Sequence, residues 1–192
     1  MFSIKDLYNC LVIDMVANKG NASAKSFYAK IKAIIYLLWF SPNYSCVFWL
    51  RVNQYLTKKK NGLAGYLSRR MNAKRIYKFG NDISCFAEIG PGLKIVHLSD
   101  IVIGRRSKVG KNLTILNGVS LGEKKISDHN MPTVGDNVYI GVGAKLLGNI
   151  TIGDGAIIGA LTFCDKSVPV NGIAYGNPMI LKTYLNDNYL VK

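Results

Sequence analysis

The chain has 192 residues, of which 49% are hydrophobic and 19% charged. That length suits one ordinary domain with a small appendage, and that composition can bury a core, so an intrinsically disordered chain is excluded. Lys and Arg number 25 against 11 Asp and Glu, a formal net charge of +14. Four cysteines, Cys10, Cys46, Cys85 and Cys164, lie far apart with no CxxC pair. This excludes a zinc-ribbon spacing and is read as free thiols in a reducing compartment. Only two histidines occur, His97 and His129, so no site needing three histidines can come from one chain.

The positive charge is concentrated in residues 1–80, where 14 Lys/Arg face only Asp6 and Asp14. Residues 81–192 hold 11 Lys/Arg and nine acids. The composition also changes near residue 80, from aromatic and basic runs to closely spaced Gly, Ile and Val. The boundaries read from this are a helical, basic segment over 1–80, a main domain over 81–180 with a loop at 123–133, and a tail over 181–192. Residues 1–16 are too short and too interrupted for a signal peptide, because Asp14 falls inside the apolar run. The uncharged stretch 33–50 reaches the lower limit of a membrane span. Ser41-Pro42-Asn43 interrupts it, since proline removes a helix donor and restricts the residue before it. The pattern therefore predicts one helix over Lys25–Phe40 and another over Asn43–Lys58. Trp39, Phe40, Phe48 and Trp49 would give an apolar surface flanked by Lys58-Lys59-Lys60, Arg69-Arg70, Lys74, Arg75 and Lys78. A helical cap on the main domain is one reading, and peripheral contact with an anionic membrane face is the other. No nucleic-acid-binding motif accompanies these charges, so no nucleic-acid partner is expected.

From Ile83 onward aliphatic residues recur every six positions: Ile83, Ile89, Ile95 and Ile101. After a two-residue slip the series resumes at Ile103, Val109, Ile115 and Leu121. After a longer insertion it resumes again at Val134, Ile140, Leu146, Ile152 and Ile158, closing at Cys164. Glycine often follows directly. Two residues ahead lies a small or apolar residue, such as Leu93, Ser107, Val119, Val138, Ala144, Ala156 or Thr162. A period of 3.6 would be a helix and a period of 2 a half-buried strand. Six residues make one short flat strand and one tight turn. Three such units close a triangular coil with one aliphatic side chain pointing inward per face. Successive coils stack as parallel β-structure and bury each other's core.

The blocks Ile89-Gly90-Pro91-Gly92-Leu93-Lys94-Ile95-Val96-His97, Val134–Gly148 and Ile158-Gly159-Ala160 resemble the hexapeptide-repeat acyltransferases, in their serine acetyltransferase-like branch. The exit Val168-Pro169 and Ala174-Tyr175-Gly176-Asn177-Pro178 resembles that family too, and Asp14–Gly20 is similar to the start of exopolysaccharide and capsule O-acetyltransferases of this branch. The resemblance implies a mainly β chain folded as a left-handed parallel β-helix, a homotrimer, and acetyl-CoA bound between neighbouring helices as co-substrate, with no metal.

Acetyl transfer to an alcohol needs a base for the hydroxyl, a thioester beside it and donors for the oxyanion. Histidine titrates near neutral pH and suits the first role. His97 occupies the position of the family's catalytic histidine, on a coil face just before the two-residue slip. His129 lies in the insertion, where a loop ejected from a rigid coil commonly carries function. It is read either as a second site residue or as an exposed loop histidine. By resemblance, Gly122, Glu123, Val142, Gly143 and Ala160 form one strip along a single edge where pantetheine approaches the backbone, with Lys124, Lys125 and Lys166 as candidates for the CoA phosphates. Serine acetyltransferases carry an aspartate before the catalytic histidine and a histidine before the loop proline. Here these are Val96 and Met131, and a glycine usual three places after the histidine is Asp100, read as a ring-orienting carboxylate or as a turn residue. Those departures lead to the expectation of a saccharide acceptor, with acetyl passing to a sugar hydroxyl of a bacterial surface polysaccharide, in the cytoplasm or at the inner membrane face. Serine O-acetylation for cysteine biosynthesis is the alternative. A γ-type carbonic anhydrase would need three histidines, and a non-enzymatic scaffold would leave the looped insertion and the histidine placement unexplained.

Overall fold

The computed structural model describes residues 3–19, 26–59, 61–127 and 129–183. Gly20, Lys25, Lys60, Asp128 and the tail from residue 184 onward, all part of the sequence reading above, lie outside them. Four helices come first: α1 (Ile4–Lys19), α2 (Phe27–Phe40), α3 (Pro42–Thr57) and α4 (Gly62–Phe79). Ser41 alone separates α2 from α3. Its N–H donates to Leu37 O, ending one helix, and its Oγ accepts from the Tyr44 N–H at 3.3 Å, starting the next. Pro42 occupies the first turn, where a missing N–H costs nothing. The axes turn by 114° at this point, and among the described residues no single helix is long and apolar enough to cross a membrane. The predicted pair of helices is thus present, starting one or two residues from the expected positions. Helices α1 and α4 were not distinguished in the sequence.

Among the described residues, fifteen strands two to four residues long build a left-handed parallel β-helix of triangular coils and its closing strand. The first face stacks β1 (Asp82–Ile83), β4 (Val102–Ile103), β7 (Ser120–Gly122), β10 (Lys145–Leu147) and β13 (Phe163–Cys164). The second stacks β2 (Glu88–Ile89), β5 (Lys108–Val109), β8 (Thr133–Val134) and β11 (Thr151–Ile152). The third stacks β3 (Lys94–Ile95), β6 (Thr114–Ile115), β9 (Tyr139–Ile140), β12 (Ile157–Ile158) and β14 (Gly172–Tyr175), and β15 (Ile180–Thr183) closes it antiparallel. Every other pairing is parallel, and the registers hold the repeat positions above one another: Ile83 on Ile103 on Leu121 on Leu146 on Cys164. Partners in the last coils stand 18 residues apart, three hexapeptides. In the first coils the offset is 20, because of the slip, and across the insertion it is 25.

The inward side chains of the repeat are buried except Ile89, which is half-buried, and Leu93, Ser107, Val119, Val138, Ala144, Ala156 and Thr162 are buried beside them. Each buried Ile, Leu or Val stabilises the coil by about 1.5–3 kcal/mol. Cys46, Val47 and Leu50 of α3 and Phe79 of α4 belong to the same core, while a second core of Leu11, Met15, Ala33, Ile34, Leu37 and Tyr44 joins α1, α2 and α3. Trp39 and Phe40 stay exposed, and Phe48 meets Trp49 edge-on with ring centroids 5.4 Å apart.

The helices are locked to the first coil by a buried ion pair. Arg51 Nε donates to Asp14 Oδ2 at 2.8 Å, with both side chains buried. Arg51 also donates to the carbonyls of Ile89 and Gly90, each at 2.6 Å, and Asp14 Oδ1 accepts the N–H groups of Gly92 and Leu93 at 2.7 and 2.9 Å. Burial alone would depress the Arg51 pKa, but the Asp14 carboxylate outweighs it and holds the guanidinium charged.

Candidate active site

The edges of the prism, not its faces, carry the candidate residues. His97 lies between β3 and β4, on the edge joining the third face to the first, and not on a face as its spacing implied. The two-residue slip is what places it there. It lengthens this one turn into an arch, Val96–Asp100, on which His97 is exposed. Ser99 (φ 109°) and Asp100 (φ 54°) both adopt left-handed backbone. Asp100 is exposed and its N–H donates to Gly80 O at 2.9 Å, so it serves as a turn residue. The family resemblance implies a glycine at this position, and glycine takes a positive φ without strain.

The same edge continues through Asn117-Gly118, Val142-Gly143 and Ala160-Leu161 on successive coils. Gly118 N donates to Ser99 O, Gly143 N to Asn117 O and Leu161 N to Val142 O, at 2.8–3.0 Å. Gly118 and Gly143 both have φ near 70°, and a Cβ on Gly143 would come within 2.7 Å of the Leu161 side chain. The edge is therefore a shallow backbone track with no bulky side chain at Gly118 or Gly143. Lys145, one strand in, donates to Gly118 O at 2.6 Å and to Ser120 Oγ at 3.1 Å. Sequence reading had not singled it out, although it follows Gly143-Ala144 directly.

Gly122, Glu123, Lys124 and Lys166 lie elsewhere, on the edge joining the first face to the second. The single strip expected from Gly122 to Ala160 is thus two strips, because Gly122 ends a first-face strand whereas Val142 and Ala160 precede one. On this second edge the chain between β7 and β8 leaves the coil as the 123–132 loop. His129 is exposed there, with Nδ1 3.5 Å from Glu123 Oε1, and Glu123 Oε2 accepts the Ser127 N–H at 3.1 Å. Met131, at the position where the family resemblance implies a histidine, is folded against the preceding coil: a Cβ on Gly104 would lie 2.6 Å from its sulfur. Lys124 is paired with Asp165 at 2.9 Å, and this hydrogen bond holds the Asp165 carboxyl below the usual range. Lys125 and Lys166 are exposed. In one protomer the two histidines therefore occupy different edges of the first face.

None of the four thiols is poised for nucleophilic work. Burial pushes Cys10 and Cys164 up to about 11, and raises Cys46 and Cys85 too. Among the described residues no group of three His, Cys, Asp or Glu side chains could hold a metal ion.

A triangular coil with an exposed histidine on a lengthened turn is the geometry that the hexapeptide-repeat resemblance implies. Residues 131–165 match the family described as bacterial transferase hexapeptide (six repeats). A serine acetyltransferase of Buchnera aphidicola is 38% identical over 131 residues, 67% of this chain and 46% of that protein. The Haemophilus influenzae serine acetyltransferase is 35% identical over 148 residues, covering 73% and 54% of the two chains. Among solved structures, soybean serine acetyltransferase complexed with serine superposes with a TM-score of 0.77 at 30% identity, covering 92% of this chain and 69% of that one. The chain belongs to the hexapeptide-repeat acyltransferases, and the relatives it matches there are serine acetyltransferases. It spans about half the length of the curated relatives named here.

These likenesses overturn the polysaccharide reading. That reading rested on Val96 and Met131 and on the similarity of Asp14–Gly20 to exopolysaccharide and capsule O-acetyltransferases. The likeness extends over most of the chain and is to serine enzymes, so a missing charged side chain at two positions does not by itself set the acceptor.

Proposed function

We propose that this chain is an acetyl-CoA-dependent O-acetyltransferase whose acceptor is the hydroxyl of free serine. The observation that carries the proposal is His97, held out on a lengthened turn of the coil on the same edge as Gly118, Gly143 and Ala160. His97 takes the proton of the serine hydroxyl as its oxygen attacks the thioester carbonyl. The C–S bond then breaks, and the imidazolium returns the proton to the departing CoA sulfur, giving O-acetylserine and free CoA thiol. Val142, Gly143 and Ala160 would line the pantetheine. Gly122, Glu123, Lys124, Lys166 and His129, on the other edge, would act from the neighbouring protomer of a homotrimer. Cyclic symmetry makes each interface join two different patches, which is how two edges of one chain meet as one site.

A cytoplasmic location belongs to the same reading. Peripheral contact with an anionic membrane face is supported by exposed Trp39 (82%) and Phe40 (71%) in the strongly basic helical segment. Thiol release from acetyl-CoA is the test. Turnover with L-serine is expected, and His97→Ala should lower it at least about 100-fold in a folded chain. Release with another alcohol but none with serine would overturn the acceptor, and an unchanged rate in the His97 variant would remove the base.

A further inference from the structure

The arch that carries His97 is fastened from the helical segment by two asparagines. Asn43, in the first turn of α3, donates its Nδ2 hydrogen to Val96 O at 2.8 Å. Val96 N in turn donates to Ile115 O at 3.0 Å, so the residue before His97 is held on both sides. Asn81, just after α4, accepts at Oδ1 the N–H groups of Ser99 (3.3 Å) and Ile101 (3.1 Å) and is itself buried. Ser99 O accepts from Gly118 N at 3.0 Å, and Asp100 N is bound to Gly80 O. Between these anchors only His97 and Leu98 remain, and Leu98 packs against the main core. Two consecutive non-glycine residues with positive φ cost of order 1–3 kcal/mol each and persist only where the surroundings enforce them. Asn81 supplies that enforcement on one side of His97, and Asn43 fixes the peptide plane on the other.

We infer that Asn43 and Asn81 are positioning residues for His97, so that the helical segment sets the geometry of the base. This rests on the catalytic role proposed for His97. The two side chains work with opposite polarity: Asn43 acts as a donor and Asn81 as an acceptor. Aspartate, which is isosteric and only accepts when ionised, breaks the first contact and keeps the second. A base displaced by a fraction of an ångström loses turnover rather than coenzyme affinity.

The test compares Asn43→Asp, Asn43→Gln, Asn81→Asp, Asn81→Leu and His97→Ala in the full chain. It measures kcat, the KM for acetyl-CoA and serine, and the melting temperature of each. Expected is a fall in kcat of about tenfold in Asn43→Asp and Asn81→Leu with both KM values within about twofold, and recovery of most of the loss in Asn43→Gln and Asn81→Asp. A kcat for folded Asn43→Asp within twofold of the parent overturns the inference, as does a loss confined to KM or to melting temperature. Should Asn43→Asp not fold, Asn43→Ala replaces it under the same criteria. An inactive His97→Ala beside a fully active Asn43→Asp sinks only the positioning role. An active His97→Ala sinks the base, and the positioning role with it.

Discussion

Among the described residues, the interior of the coil is a ladder of Ile, Leu and Val in which Ser107 and Thr162 are the buried polar side chains. The helical segment and its junction bury Asp14, Ser45, Arg51, Asn53, Gln54, Ser68, Arg75 and Asn81. The first region is held by apolar contacts that repeat, so any rung resembles the next. The second adds to its apolar core directional contacts that occur once each. A hydrogen-bonded junction fixes orientation as well as contact, and orientation is what the arch before β4 requires.

Four measurements would break or sharpen this contrast. Asp14→Ala leaves Arg51 charged and unpaired in the interior, and should cost about 3–5 kcal/mol by urea unfolding. Replacing both partners together by apolar residues should cost less than that single change. In the coil, Ile140→Ala should cost about 3 kcal/mol through the cavity it leaves, and the same change at Ile158 should cost nearly the same, because the rungs are equivalent. Equal losses at unrelated helix positions, or very unequal ones between rungs, would contradict the distinction. Ser41→Ala removes the N-cap of α3 and should cost about 1 kcal/mol, read as a lower melting temperature. The thiols are tested by pH instead of by substitution. Cys10 and Cys164 stand near 11 when folded against an ordinary 9.0. Their contribution to stability is therefore whole below pH 9 and disappears as pH rises from 9 to 11. Unfolding curves between pH 8 and 11 should show that decline, and the folded chain at pH 7.5 should react slowly with a thiol reagent.

What could be read from the sequence follows the same division. Ile83 through Cys164 announce the coil because the period repeats, and a break in it marks something inserted. The gap after Leu121 thus located the loop, while the slip before Ile103 was seen but its outcome, an arch that moves His97 from a face to an edge, was not. Ser41-Pro42 likewise announced the break between α2 and α3. The edges were not legible, because assigning Gly122 and Gly143 to one strip requires knowing which face each strand joins. Asn43 and Asn81 gave no signal, since a side chain that bonds a backbone carbonyl or N–H on a distant part of the chain leaves no periodicity. The acceptor was misread for a related reason: Val96 and Met131 are informative only if the site tolerates no substitution.

The closing turn of the coil has a consequence of its own. A stack of parallel rungs ends in unpaired N–H and C=O groups, a template on which another chain could polymerise. At one end α3 covers the first rung, with Cys46, Val47 and Leu50 packed into its core. At the other, β15 runs back against β14 and reverses the strand direction. Among the described residues, one end of the stack is thus covered by a helix and the third face of the other is closed by a reversed strand, which blunts the growing points of a potential fibre.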